Sequence, residues 1–128
     1  MQRFAHDGVD IAFLDEGAGA PIVLVHGFAS TAQVNWRHPG WVGTLTGAGR
    51  RVIALDNRGH GGSSTLSDPA AYHSAVMADD VRALLDHLDL ERADVMGYSL
   101  GSRMAAVLAR QAPQRLRSAI FGGIEFKN

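Results

Sequence analysis

Gly97-Tyr-Ser-Leu-Gly101 is the segment whose residue types and spacing point most directly to chemistry. It follows an apolar run and precedes a stretch of good helix formers, the setting of a nucleophile elbow. A serine on a sharp strand-to-helix turn holds its hydroxyl out for attack on an electrophilic carbon. The turn is strained and crowded, so the residues two positions away on either side must be small, and Gly97 and Gly101 are. A helix starting near Leu100 aims unpaired N–H groups at the place where an oxyanion would form. Tyr98, beside the serine, is placed to line a pocket. Without the flanking strand and helix the pattern would mean little; its setting makes it informative.

A serine hydroxyl is a weak nucleophile without a base. The histidines are His6, His26, His38, His60, His73 and His87, and all precede Ser99. His26 and His60 follow apolar runs that read as parallel strands, which puts them on the serine's side of a sheet. His6 lies in a hairpin, His38 in a loop, His73 at a helix start and His87 late in a charged helix. After Ser99 the chain has one acid, Glu125, which reads better as a polar tail residue than as a catalytic group. No two histidines share a helix face with a carboxylate and there is no cysteine, so no metal site is expected.

The elements that must position Ser99 alternate. Met1 to Leu14 reads as two short strands around an Asp7-Gly8 turn, followed by a loop from Asp15 to Pro21. Ile22–Val25, Arg51–Leu55, Ala93–Met96 and Ser118–Phe121 are continuous apolar runs of the kind buried on both faces of a parallel sheet. Met77, Val81, Leu84, Leu85 and Leu88 form one helical stripe. Ser74 is its expected N-cap, with Asp79 and Asp80 near the first turn and His87 near the end, as the helix dipole favours. Leu100–Gln111 reads as a second helix stopped by Pro113. Between Thr31 and Ala48, Pro39-Gly40 interrupts the chain. Trp41, Val42 and Leu45 then suggest a short helix ended by Gly47 or Gly49. The expected fold class is α/β, a mostly parallel sheet with flanking helices.

Composition narrows the partners. The chain has 128 residues, 46% of them hydrophobic and 20% charged, enough for one globular domain. A formal net charge of −1 gives no bulk attraction to nucleic acid or anionic membrane. No signal peptide or membrane-spanning run is legible, so the expected compartment is the cytoplasm. The first strand–helix crossover reads His26-Gly-Phe-Ala-Ser-Thr31 and lacks the glycine fingerprint of dinucleotide binding, so no cofactor is expected.

Two further motifs join the elbow: His26-Gly27-Phe28 after one strand, and Asp56-Asn-Arg-Gly-His-Gly-Gly-Ser63 after the next. With all three in this order, the chain resembles the N-terminal half of an α/β-hydrolase-fold protein. The specific resemblance is to the branch with these three loops, which includes esterases, lipases, carbon–carbon bond hydrolases and cofactor-free haloperoxidase-like enzymes. The resemblance implies that the Phe28 backbone N–H pairs with that of Leu100 in an oxyanion hole, and that His26, Gly27 and Tyr98 border the substrate pocket. It implies a structural role for Asp56, Arg58, Gly59, Gly61 and Ser63, which match the middle motif, so Asp56 is not taken as a triad acid. At the elbow, epoxide hydrolases and haloalkane dehalogenases of this fold carry aspartate; Ser99 implies an acyl-enzyme route and a small acyl or ester substrate.

The family order is Ser, then Asp or Glu, then His. Residues 1–128 are therefore expected to be the N-terminal part of a single hydrolase domain, ending after about the sixth strand, without the later strands, cap and triad histidine. Ser118–Phe121 would then be a bare sheet edge, prone to self-association or to completion by a C-terminal half. The alternative is a non-catalytic fragment or binding module that keeps the pocket.

Overall fold

In the computed structural model, which describes residues 1–124, six strands form one sheet in the order β1-β2-β4-β3-β5-β6. The strands are β1 (Gln2–His6), β2 (Val9–Glu16), β3 (Ala20–Val25), β4 (Arg50–Leu55), β5 (Ala93–Tyr98) and β6 (Leu116–Gly122). β4, β3, β5 and β6 run parallel, while β1 and β2 join antiparallel at one edge. The Asp7-Gly8 turn takes φ 50° and 77° at its two central residues, the left-handed pair that matches the twist of a two-residue hairpin.

Side chains along each parallel strand alternate between two cores. Val23, Val25, Ile53, Leu55 and Val95 face α2 (Ser74–His87) and α3 (Leu100–Gln111), whose Leu84, Leu85, Met104 and Leu108 are fully buried against them. Ile22, Leu24, Val52, Ala54 and Met96 face the other way, onto Trp36 and the short α1 (Trp41–Gly47). The sheet is thus a middle layer between helices, and that is why its strands are apolar on both faces.

Several local expectations need correction. His73, not Ser74, caps α2: its Nδ1 accepts the Ala75 N–H at 3.3 Å. No acid lies in the first turn of α2, because Asp79 and Asp80 fall one turn further on, and Asp80 is buried. α1 ends at Gly47, and Gly49 supplies the left-handed turn beyond it at φ 83°. A five-residue π-helical turn, Gln33–Arg37, precedes Pro39. Glu125 lies outside the described residues. Among the described residues, no helix is long and apolar enough to cross a membrane.

Candidate active site

The three motifs meet because β4, β3 and β5 are adjacent and parallel, so the loops at their C-terminal ends converge. Ser99 sits between β5 and α3 with φ 54° and ψ −111°, a conformation that costs a non-glycine residue about 1–3 kcal/mol. Surrounding hydrogen bonds hold it there. The Ser99 N–H donates to the Gly122 carbonyl at 2.9 Å, and the Ser99 carbonyl accepts from Ser102 and Arg103 at 3.0 and 3.2 Å.

Both elbow glycines are sterically required. A Cβ on Gly97 would lie 2.2 Å from the Gly101 carbonyl atoms, and one on Gly101 would lie 1.9 Å from the Val25 carbonyl oxygen. α3 therefore packs directly onto the end of β3. A Cβ on Gly27 would stand 3.2 Å from the Tyr98 carbonyl and 3.4 Å from Ser99 Cβ, so the loop after β3 abuts the serine.

The Ser99 side chain does not cap α3, and among the described residues no group is hydrogen-bonded to its hydroxyl. Nor, among them, does any hydrogen bond run from the backbone N–H of Phe28 or of Leu100. Phe28 is 79% exposed, and its ring meets the His60 ring edge-on. Tyr98 is half-exposed and borders an apolar cleft of about 360 Å³ with Trp36, Trp41, Met96 and Ile120.

The His26 ring is completely buried, which corrects the expectation that it borders a pocket. Its Nε2 accepts the Asn57 N–H at 2.9 Å, so its proton sits on Nδ1 and is donated to the Gly27 carbonyl at 2.7 Å. Burial pushes this imidazole below its ordinary pKa, against the Gly27 hydrogen bond that raises it. His60 is committed in the same way: Nε2 accepts the Ala29 N–H at 3.0 Å and Nδ1 donates to the Arg58 carbonyl at 3.0 Å. Both rings brace the loop against the next one, and neither has a ring nitrogen free for Ser99.

The middle motif joins the loops. Asp56 Oδ1 accepts from the Ala32 N–H at 2.8 Å and Oδ2 from the Gly62 N–H at 2.9 Å. Gly61, at φ 50°, passes so close that a Cβ there would lie 2.3 Å from Asp56 Oδ2. Gly59, at φ 80°, leaves room for the Tyr72 ring in the same way. Ser63 Oγ donates to the Asp56 carbonyl at 2.6 Å and accepts the Ala12 N–H at 2.9 Å, tying the loop to β2. Arg58 lies buried and grips both oxygens of Asp80 at 2.8 Å, linking the loop to α2.

Sequence reasoning missed three supports. Asn35 Oδ1 accepts the Gly27 N–H at 3.0 Å, and Asn57 Nδ2 donates to the His26 carbonyl at 3.1 Å. Ser102 Oγ lies 2.8 and 2.7 Å from the Gly97 and Gly122 carbonyls and accepts the Gly122 N–H at 3.0 Å, clasping the elbow to β6. A serine directly after the elbow's last glycine was the available signal for the third. No pattern marks the two asparagines.

The profile of the alpha/beta hydrolase fold matches residues 20–127. The chain belongs to the α/β-hydrolase fold family. Within it, the chain is 37% identical over 118 residues to a 2-hydroxymuconate semialdehyde hydrolase of Pseudomonas sp. (strain CF600), covering 91% of this chain and 40% of that one. It is 36% identical over 115 residues to a non-heme chloroperoxidase of Kitasatospora aureofaciens, covering 89% and 40%. Among solved structures, an N-acyl homoserine lactone degrading enzyme superposes with a TM-score of 0.81 at 32% identity, over 94% of this chain and 44% of that one. An epoxide hydrolase from Vigna radiata superposes at 0.91 with 21% identity, over 98% and 38%, a likeness of fold. The α/β-hydrolase chain described here thus spans about 40% of the length of these curated relatives.

Proposed function

We propose that Ser99 is the nucleophile of a serine hydrolase acting on carboxylic esters or related acyl substrates. One observation carries this reading. Ser99 is held at φ 54°, and among the described residues neither its hydroxyl nor the backbone N–H groups of Leu100 and of Phe28, next to the Gly27 that abuts it, have a hydrogen-bond partner.

Ser99 Oγ attacks the substrate carbonyl carbon and gives up its proton to a base. The carbonyl oxygen becomes an oxyanion that the N–H groups of Phe28 and Leu100 stabilise. Collapse expels the alcohol and leaves an acyl ester on Ser99, which water hydrolyses. Serine in place of aspartate supports this route over the one implied for epoxide hydrolases of this fold. The lactone-degrading relative is named for a cyclic ester, which fits the same chemistry.

His26 and His60 are bound to backbone partners at both nitrogens, so neither is the base. We assign base and acid to residues outside these 128, in the order that the resemblance implies. Among the described residues no free imidazole stands beside Ser99, which favours the second reading, a non-catalytic binding scaffold when this segment acts alone.

A fluorophosphonate probe separates the two. The chain is tested alone and joined to the remaining C-terminal segment of a relative, with folding checked by a cooperative melt. Ser99 is expected to be labelled in the joined protein, and Ser99→Ala to abolish labelling and lower kcat on the order of 10⁶-fold. A folded joined protein that is not labelled would sink the nucleophile assignment and leave the scaffold.

A further inference from the structure

The β1–β2 hairpin brings His6 and Asp7 against Asp79 of α2, next to the Arg58–Asp80 ion pair. His6 Nε2 lies 3.5 Å from Asp7 Oδ2 and 3.3 Å from Asp79 Oδ2. His6 Nδ1 donates to Asp80 Oδ1 at 3.0 Å, and Asp80 is buried and held by Arg58. That hydrogen bond places the proton of a neutral His6 on Nδ1. The Nε2 lone pair then faces two carboxylate oxygens across little more than 3 Å. These three atoms call for a cation among them, either a proton on Nε2 or a bound metal ion.

We propose that His6 Nε2, Asp7 Oδ2 and Asp79 Oδ2 bind a divalent transition-metal ion, Zn²⁺ by preference. Zinc bonds of about 2.0–2.2 Å to nitrogen and oxygen give tetrahedral ligand–ligand distances of about 3.3–3.5 Å, matching the two distances to Nε2. The third ligand pair also lies within 4.8 Å. The Asp80–His6 contact is the outer-shell carboxylate that fixes the tautomer of a metal-bound histidine. The same residues line a cleft of about 440 Å³ with Arg82 and Val76, with room for water as the fourth ligand.

Charge agrees. Asp7, Asp79, Asp80 and Asp86 face Arg58, Arg82 and Arg115, so four carboxylates meet three guanidiniums. Arg82 Nη2 takes one lone pair of Asp79 Oδ2 at 3.1 Å and leaves another for the metal. Two ligands come from the edge hairpin and one from α2, so the ion clips the sheet edge to the helix. This site is independent of the serine chemistry.

The test is titration of the whole, chelator-stripped chain with Zn²⁺ and, for its visible spectrum, Co²⁺. One Zn²⁺ per chain with a micromolar or tighter Kd is expected, with a tetrahedral Co²⁺ band and a Tm raised by several degrees. Asp7→Asn is expected to weaken binding at least tenfold without lowering the metal-free Tm. Asp7 is 85% exposed, on a left-handed turn position that asparagine tolerates. His6→Gln is expected to abolish the Co²⁺ band. Binding no tighter than millimolar, or binding unchanged in Asp7→Asn and His6→Gln, would overturn the proposal. So would a ¹⁵N spectrum showing His6 Nε2 protonated in the presence of Zn²⁺, since a proton would then be the cation between the carboxylates.

Discussion

At the scale of single residues, the chemistry depends on how each polar group near Ser99 is spent. The Ser99 backbone is restrained by Gly122, Ser102 and Arg103 in a turn where Gly97 and Gly101 admit no Cβ, and among the described residues its hydroxyl has no hydrogen-bond partner. His26 shows the opposite allocation. Burial pushes its pKa down; the Gly27 carbonyl partly offsets this, His60 adds to the lowering and Asp56 opposes it. The folded state therefore holds His26 neutral below the ordinary 6.5 at which the unfolded chain takes up a proton. Its contribution to stability is complete above that value and is lost as pH falls through it, at up to about 1.4 kcal/mol per pH unit. Urea unfolding of the wild-type chain between about pH 7.5 and 5.5 should show this loss, and His26→Gln should remove it. Equal slopes in both proteins would show that another group titrates.

At the scale of elements, the loop after β4 is attached to α2 by a buried ion pair. Arg58 and Asp80 are 4% and 1% exposed, and the guanidinium engages both carboxylate oxygens. Removing one partner leaves an uncompensated buried charge, so Asp80→Leu should cost about 3–5 kcal/mol. The double change Arg58→Met with Asp80→Leu should cost less than Asp80→Leu alone. Chemical denaturation of these two variants and of Arg58→Met alone decides this. Additive losses would mean that the pair does not act as a unit. The loop carries Asp56 and His60, which brace residues 26–32, so a loosened α2 should also disturb the surroundings of Ser99.

At the scale of the whole molecule, β6 ends the sheet among the described residues, and Ile120 on it is 45% exposed. An apolar edge strand is a template for pairing with another chain. Sedimentation of the 13.7 kDa chain should show a mass that rises with concentration, and Ile120→Lys should suppress the rise. A wild-type chain that stays monomeric at every concentration would refute self-association through this edge. The Tyr98 cleft opens beside the same strand, so whatever covers β6 would also cover that cleft.

Much of this architecture was legible from residue types alone. β-branched runs and a helical stripe have local physical causes, so the parallel strands, α2 and α3 could be read within a few residues. The elbow could be read because its glycines are demanded by sterics that hold wherever a strand turns sharply into a helix. What the tertiary structure alone decided is the use of polar side chains. Asp80 looked like a dipole-complementing residue and proved to be the buried partner of Arg58 and His6. His26 looked like a pocket residue and proved to be a brace. Asn35 and Asn57 carry no pattern, yet with Ser102 they hold the loops around Ser99. A hydrogen bond or ion pair depends on which distant segment arrives within about 3 Å, and sequence separation does not encode that arrival.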